Sequence, residues 1–287
     1  MADQPALTKD VLTDPDLVNA VLLDRAEHNA VFRNAFQNQD VSTVNDDEFS
    51  FYVEDGVYDE EPIEIIEEGS NFPERQGERR KVRVTRHKYG EKYEITMEGD
   101  MDDAAGETVI EANRKLRRTT LTMDKRAFDV LSAALAGNDH TAISPSGASG
   151  GITYEDIVDA DVRVRDSDDG EYAPTQLYVG NQALGSIRKL DEFTHATDTG
   201  DEVIRNGRIG SIAGLADVYT SSSPLINMGS GDAYLIDPDF FGREAEWLPP
   251  TVNDYTNQER QVEVGIQMYG LIGHTETHAN AGIRIGN

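Results

Sequence analysis

Three short stretches of this chain carry side chains of types that do chemistry. His274-Thr275-Glu276-Thr277-His278 sets two imidazoles and a carboxylate at alternate positions. On a strand, alternation turns all three to one face, and two histidines with one carboxylate make a divalent-metal set. Along an extended strand they stand about 6–7 Å apart, too spread for one ion unless the strand bends. The helical His-Glu-x-x-His spacing is absent. The expectation is therefore a polar, solvent-facing strand edge, with a metal-dependent hydrolase using His274, Glu276 and His278 as the competing reading. Gly147-Ala148-Ser149-Gly150-Gly151 matches the nucleophile elbow by letter. The elbow needs a strand before the serine and a helix directly after it. Here a long helical pattern and a polar loop precede it, so we read a Gly/Ser loop. Asp166-Ser167-Asp168-Asp169-Gly170 resembles a calcium loop but puts Gly170 where Asp or Asn is needed and Glu171 where Gly is needed. We read it as a solvated turn.

The chain of 287 residues has no cysteine, which excludes disulfides, thiolate metal sites and cysteine nucleophiles. Gly207, Gly210 and Gly214 do not have dinucleotide spacing, and no Walker-type Gly-Lys-Ser/Thr occurs. Acidic residues are so numerous that any carboxylate pair is expected by chance. No catalytic residue, metal ligand or cofactor is assigned, and the chain is not read as an enzyme.

Charge is the stronger signal. Fourteen of the 26 basic residues lie in residues 75–126, a window that holds only ten acids. Residues 1–74 hold 3 basic and 19 acidic residues, and the whole chain has a formal net charge of −28. Such a balance argues against general nucleic-acid affinity, which requires cations that displace counterions. It points instead to an assembly protein that sets its basic segment against the acidic surfaces of its neighbours. Lysine is scarce beside arginine, seven against nineteen. A surface this acidic repels itself in dilute buffer, whereas at ~1 M salt the Debye length falls to about 3 Å. We read this as adaptation to high salt, a haloarchaeal setting. No run of 18 apolar residues spans a membrane, and the N-terminus lacks the basic and apolar regions of a signal peptide.

The elements that carry these residues can be read from periodicity. Thr13-Asp14-Pro15-Asp16 starts a helix that is expected to run to about Phe36 as an arm standing alone. Residues 48–57 alternate as a strand, 59–80 form a charged excursion, and 81–97 alternate again, which predicts a long β-hairpin needing outside support. Residues 101–136 form the longest helical pattern, with Gly137 as its C-cap. Thr153 caps a helix over 154–162, a strand follows at 176–179 and a helix at 181–190. Residues 207–220 read as strand, Gly turn and strand. Further strands are expected at 233–236, 260–269 and 272–285. The class is α+β.

In this order of elements the chain resembles the major capsid proteins of tailed double-stranded DNA viruses, the Hong Kong 97-type fold. The resemblance covers nearly the whole chain. It rests on residues 67–97 (EEGSNFPERQGERRKVRVTRHKYGEKYEITM), similar to the family's extended loop and its returning strand. It rests also on 98–135 (EGDMDDAAGETVIEANRKL and onward), similar to the spine helix, and on 177–190 (LYVGNQALGSIRKL) with 206–224 (NGRIGSIAGLADVYTSSSP), similar to the axial domain. The division it implies is an N-terminal arm (1–45), an extended loop (46–97), a peripheral domain with the spine helix (98–150), an axial domain (151–235) and returning strands (236–287). It implies pentamers and hexamers tiling an icosahedral head. Its further partners would be a portal protein at one vertex, decoration or turret proteins, and packaged DNA contacted without sequence preference. The location would be the virion, after assembly in the host cytoplasm. Only about 45 residues precede the first hairpin strand, so an uncleaved chain without a scaffolding segment is expected. An encapsulin-type compartment shell is the alternative within the same fold.

The basic window then divides in two. Arg75, Arg79, Arg80, Lys81, Arg83 and Arg86 fall on the extended loop, where they are candidates for docking onto adjacent subunits. Arg114, Lys115, Arg117 and Arg118 fall on the spine helix, facing either the interior or an interface.

Overall fold

A helix of 31 residues, α1 (Glu107–Gly137), packs against both four-stranded sheets of the fold. At 1.5 Å per residue it is about 46 Å long. Leu121, Asp124, Phe128, Leu131 and Leu135 are all buried and recur every three or four residues, so they form one line facing the body. The computed structural model describes residues 30–54, 79–96, 107–147, 150–167, 171–190, 217–221, 225–226, 228–229, 231–257 and 262–286.

The strands are β1 (Gln37–Asp40), β2 (Glu48–Glu54), β3 (Arg79–Thr85), β4 (His87–Thr96), β5 (Gln176–Val179), β6 (Asp217–Thr220), β7 (Ala233–Ile236), β8 (Gly242–Asn257), β9 (Val262–Glu276) and β10 (Gly282–Ile285). Two shorter helices are α2 (Tyr154–Arg165) and α3 (Asn181–Ile187). One sheet has the order β1-β8-β9-β4, a second β10-β7-β5-β6, and β2 with β3 makes a two-stranded ribbon. The main core joins α1, α2 and the second sheet. Phe32 packs at its centre, 4.8 Å from the ring of Phe128 and stacked on Tyr178 at 5.2 Å.

α2 begins with a capping box. The Thr153 side chain accepts from the Asp156 N–H, and the Asp156 carboxylate accepts from the Thr153 N–H at 2.7 Å and from Ser146 N–H. The start at Tyr154 and the strand at 176–179 agree with the sequence reading, while α2 continues three residues further. Gly137 ends α1 as its last helical residue and does not take a left-handed φ, which among the described residues only Gly150 does.

Expectations for the N-terminal segment and the late strands are corrected. The N-terminal helix does not extend to Phe36: residues 1–29 lie outside the described residues, Phe32–Ala35 is one 3-10 turn, and Gln37–Asp40 is a strand parallel to β8. This segment does not stand alone, because Phe32, Ala35 and Phe36 are buried in the core. The expected strand over 81–97 is two strands. It breaks at Arg86, so that β3 pairs with β2 while β4 pairs with β9. The break expected near Gly270 is absent: β9 runs through it, and a Cβ at that position would lie 2.7 Å from Met123 Cε. Beyond the expected strands there is β8, whose Pro249 and Pro250 argue against a central strand. They sit where the register shifts between Leu248 and Thr251, beyond the stretch paired with β1, and there a strand tolerates proline.

Candidate functional site

The ribbon of β2 and β3 has two unlike faces. Phe51, Val53, Val82 and Val84 pack inward on Ala245, Trp247 and Leu271. The ribbon base is therefore supported by its own chain, and the expected dependence of the hairpin on a neighbour for all its support is corrected for these residues. Antiparallel register places Tyr52 opposite Lys81 and Ser50 opposite Arg83 on the outer face. Arg79, Lys81 and Arg83 are exposed, and Tyr52 is 71% exposed. The Lys81 ammonium lies 5.9 Å from the centroid of the Tyr52 ring. Arg83 is 3.9 Å from the Glu48 carboxylate, an exposed pair of little energetic weight. Arg80 falls on the inner side and donates to the Thr277 carbonyl at 2.5 Å. Arg86 marks the break between β3 and β4 and pairs with Asp47. Arg75 lies outside the described residues.

The outer side of α1 carries the second basic group. Arg114, Arg117, Arg118 and Arg126 are exposed. Lys115 instead turns to β4, with Nζ 3.2 Å from Glu91 and 3.2 Å from the Lys92 carbonyl. Lys125 pairs with Asp129 one turn on, at 2.6 Å. The two sequence-assigned groups thus occupy separate elements, with Lys115 bridging α1 to the sheet.

A buried ionic node was not foreseen. Arg33 grips Glu244 with Nε–Oε2 at 2.8 Å and Nη2–Oε1 at 2.5 Å, and its Nη2 is 3.4 Å from Glu246. His274 Nε2 meets Glu244 Oε2 at 2.7 Å. The Glu244 carboxyl is held at about 2: burial alone would raise it, but the hydrogen bonds and charges of Arg33 and His274 outweigh that. Beside it, Asp124 Oδ1 accepts the backbone N–H groups of Val31, Phe32 and Arg33 at 2.9, 2.6 and 3.1 Å. Its Oδ2 is buried without a partner. Burial raises the Asp124 carboxyl to about 6, against the opposing pull of those three N–H groups and Arg33. The one sequence signal was an acid standing in the apolar line of α1.

The residues first considered for chemistry are not assembled into a site. The His274 side chain is fully buried and bound to Glu244, which corrects the expected solvent-facing edge. Glu276 is exposed, and His278, past the end of β9, bonds through Nδ1 to the Phe240 carbonyl at 3.2 Å. Among the described residues no group of three histidine, aspartate or glutamate side chains is placed to hold a metal ion. Asp166 closes α2 through its N–H to Val162, and residues 168–170 lie outside the described residues. Gly147 and Gly151 close a turn ahead of the α2 cap, with Ser149 outside the described residues.

No family model and no curated protein matches this sequence. Solved structures do. A structure from Mycobacterium phage Che8 superposes with a TM-score of 0.65 at 14% identity, covering 90% of this chain and 92% of that one. The capsid of cyanophage P-SCSP1u gives 0.64 at 9% identity, covering 90% and 88%. A virus-like particle from Pyrococcus furiosus gives 0.55 at 8% identity, covering 92% and 95%. At these identities the likeness establishes the fold, which is the α+β Hong Kong 97-type capsid fold expected from the sequence.

Proposed function

We propose, from the capsid fold that this chain shares with those particles, that it is the major shell subunit of a tailed double-stranded DNA virus. Copies assemble as pentamers and hexamers into an icosahedral head, with a portal protein at one vertex and decoration or turret proteins as further partners. The role is structural, and the location is the virion, after assembly in the host cytoplasm. The carrying observation is that the likeness spans about nine-tenths of both chains. That leaves little of the chain on which a different activity would be built.

The two-faced ribbon supports this reading. Ring assemblies join unlike surfaces, one face meeting a different face of the next copy. Arg79, Lys81 and Arg83 around the exposed ring of Tyr52 combine an aromatic anchor with cations, the composition favoured at protein contacts. The partner is the acidic surface of an adjacent copy, and Arg75, Arg80 and Arg86 belong to the same basic segment. Electron microscopy of the purified protein over about 0.2–3 M salt tests assembly, with closed shells expected. Monomers at every salt concentration would overturn the capsid reading.

The likeness to the Pyrococcus furiosus virus-like particle favours a second reading, a compartment shell of encapsulin type. Nuclease-resistant nucleic-acid absorbance in purified shells separates the two, since only the viral head encloses DNA.

The net charge of −28 supports a high-salt, haloarchaeal setting, in which short-range pairs persist while long-range repulsion is screened. Melting temperature is then expected to rise with salt. A maximum below about 0.2 M would end that reading.

A further inference from the structure

The second sheet carries a helix towards each of its edges, and the outer ends of these helices differ in charge. α2 lies against β10 and β7 at one edge, and α3 sits in the connection between parallel β5 and β6 at the other. Three strand spacings of about 4.8 Å set those edges about 14 Å apart. α2 turns Ile157, Ala160 and Val164 into the core. At about 3.6 residues per turn, its opposite side gathers Glu155, Asp159, Val162 and the capping Asp166, all of them exposed. Val162, at 54%, is the most exposed large aliphatic side chain among the described residues. The two cations of α2 fold back on their own chain: Arg165 pairs with Asp161 at 2.9 Å, and Arg163 donates to the Thr141 carbonyl at 3.0 Å. Glu155, Asp159 and Asp166 make no ion pair among the described residues. At the other edge, α3 ends in exposed Arg188 and Lys189, likewise without an ion pair among the described residues. Leu184, one turn before Arg188, is half-buried and adds an apolar shoulder.

We infer that these two edges are the two halves of one contact between copies: the outer side of α2, centred on Val162, receives the Arg188–Lys189 end of α3 from an adjacent copy. The inference rests on the capsid reading and assigns a joint separate from the ribbon. Charge complementarity names the occupant. From Glu155 to Asp166 the α2 stripe is about 16 Å long, with an apolar centre and a charged rim, the anatomy of a protein contact. A second copy supplies the matching cations, whereas pairing α2 with α2 would set like charges together. Because the two halves lie at opposite edges of one sheet, each copy joins two neighbours and the contact propagates into a ring.

The chain has no cysteine, so a pair of introduced thiols reads the contact directly. Val162→Cys with Lys189→Cys, in the full chain, is treated with a short bismaleimide over the salt range used for assembly. The expected product is a ladder of covalent multimers up to the pentamer or hexamer, while either single variant stays monomeric on a denaturing gel. Asp159→Lys with Asp166→Lys, and separately Arg188→Glu with Lys189→Glu, should lower shell yield at least about tenfold by placing like charges together, with circular dichroism unchanged. All four changes in one chain should restore the yield to within about threefold, since reversal on both sides re-forms the pairs. Absence of the ladder overturns the inference whether or not shells form, as do dimers alone, which would mark a two-fold contact. So does normal assembly of either charge-reversed pair, or failure of the combined reversal to restore it. A ladder from protein that forms no closed shells upholds the contact and sinks the capsid reading.

Discussion

Arg33 and Glu244 lie 211 residues apart and meet in a two-pronged ion pair, with Nε–Oε2 at 2.8 Å and Nη2–Oε1 at 2.5 Å. The pair ties the segment before β1 to β8, and His274 completes the carboxylate from β9. Asp124 holds the same segment from α1 by three backbone N–H groups. Two carboxylates on different elements therefore fix where residues 31–40 enter the body.

Removing one partner of this pair leaves a buried charge unmatched. Glu244→Gln is expected to cost about 3–5 kcal/mol, measured by denaturant unfolding of the free subunit. Replacing both partners, Arg33→Met with Glu244→Leu, is expected to cost less, because apolar side chains tolerate the buried site without a charge to match. Equal losses in the two variants would show that the pair does not act as a unit.

The two acids set opposite pH limbs. Glu244 titrates at about 2 when folded, against an ordinary 4.5, so the unfolded chain binds the extra proton between these values and stability falls as pH drops through them. Asp124 titrates at about 6 when folded, against 3.8, so the folded chain binds the extra proton there and stability falls as pH rises from about 4 to 6. Each limb is about 3 kcal/mol at one pK unit per ~1.4 kcal/mol. Maximum stability is expected near pH 4–5. Asp124→Asn should flatten the upper limb alone, and an unaltered limb in that variant would refute the assignment.

On the ribbon, Lys81→Glu with Arg83→Glu changes only exposed side chains. Assembly yield is expected to fall severalfold while the unfolding free energy changes by less than about 0.5 kcal/mol, the usual range for surface positions. Arg79→Glu with Arg80→Glu should impair assembly too. Arg80 also anchors the ribbon to Thr277, so that variant is expected to lose some subunit stability as well. Normal particles from both variants would count against docking by this face.

Gly273 is where β3 crosses close to β9. A Cβ there would stand 2.5 Å from the Thr85 carbonyl oxygen and 2.5 Å from Val84 Cγ1, contacts that backbone cannot relieve cheaply. Gly273→Ala is expected to cost about 1–3 kcal/mol by overpacking and to loosen the ribbon from the body. Faster hydrogen exchange in β2 and β3 than in β7 would localise the effect, and uniform exchange would contradict it.

Several features of the fold were legible because their signals are local. Thr153 followed by Asp156 writes the capping box of α2 directly, and the apolar recurrence from Leu121 to Leu135 writes the buried line of α1. Strand β5 is a short apolar run that matched residue for residue. The order of charged excursion, long helix and late strands was enough to expect the capsid fold. Where the signal was non-local it misled: Pro249 and Pro250 argue against a central strand in β8, and continuous alternation hid the change of partner at Arg86.

By itself, then, the sequence determined the types of α1, α2 and β5, the absence of thiol chemistry, the acidic balance and the concentration of cations in residues 75–126. These follow from residue identity and from periods of two and three to four. Only the tertiary structure decided which cations share a face, that His274 is buried against Glu244, and that Asp124 and Glu244 anchor one segment from two sides. Such pairings join residues about 30 to 211 positions apart. A buried charge is tolerated only where distant chain supplies its partners, and local pattern carries no record of which distant chain that will be.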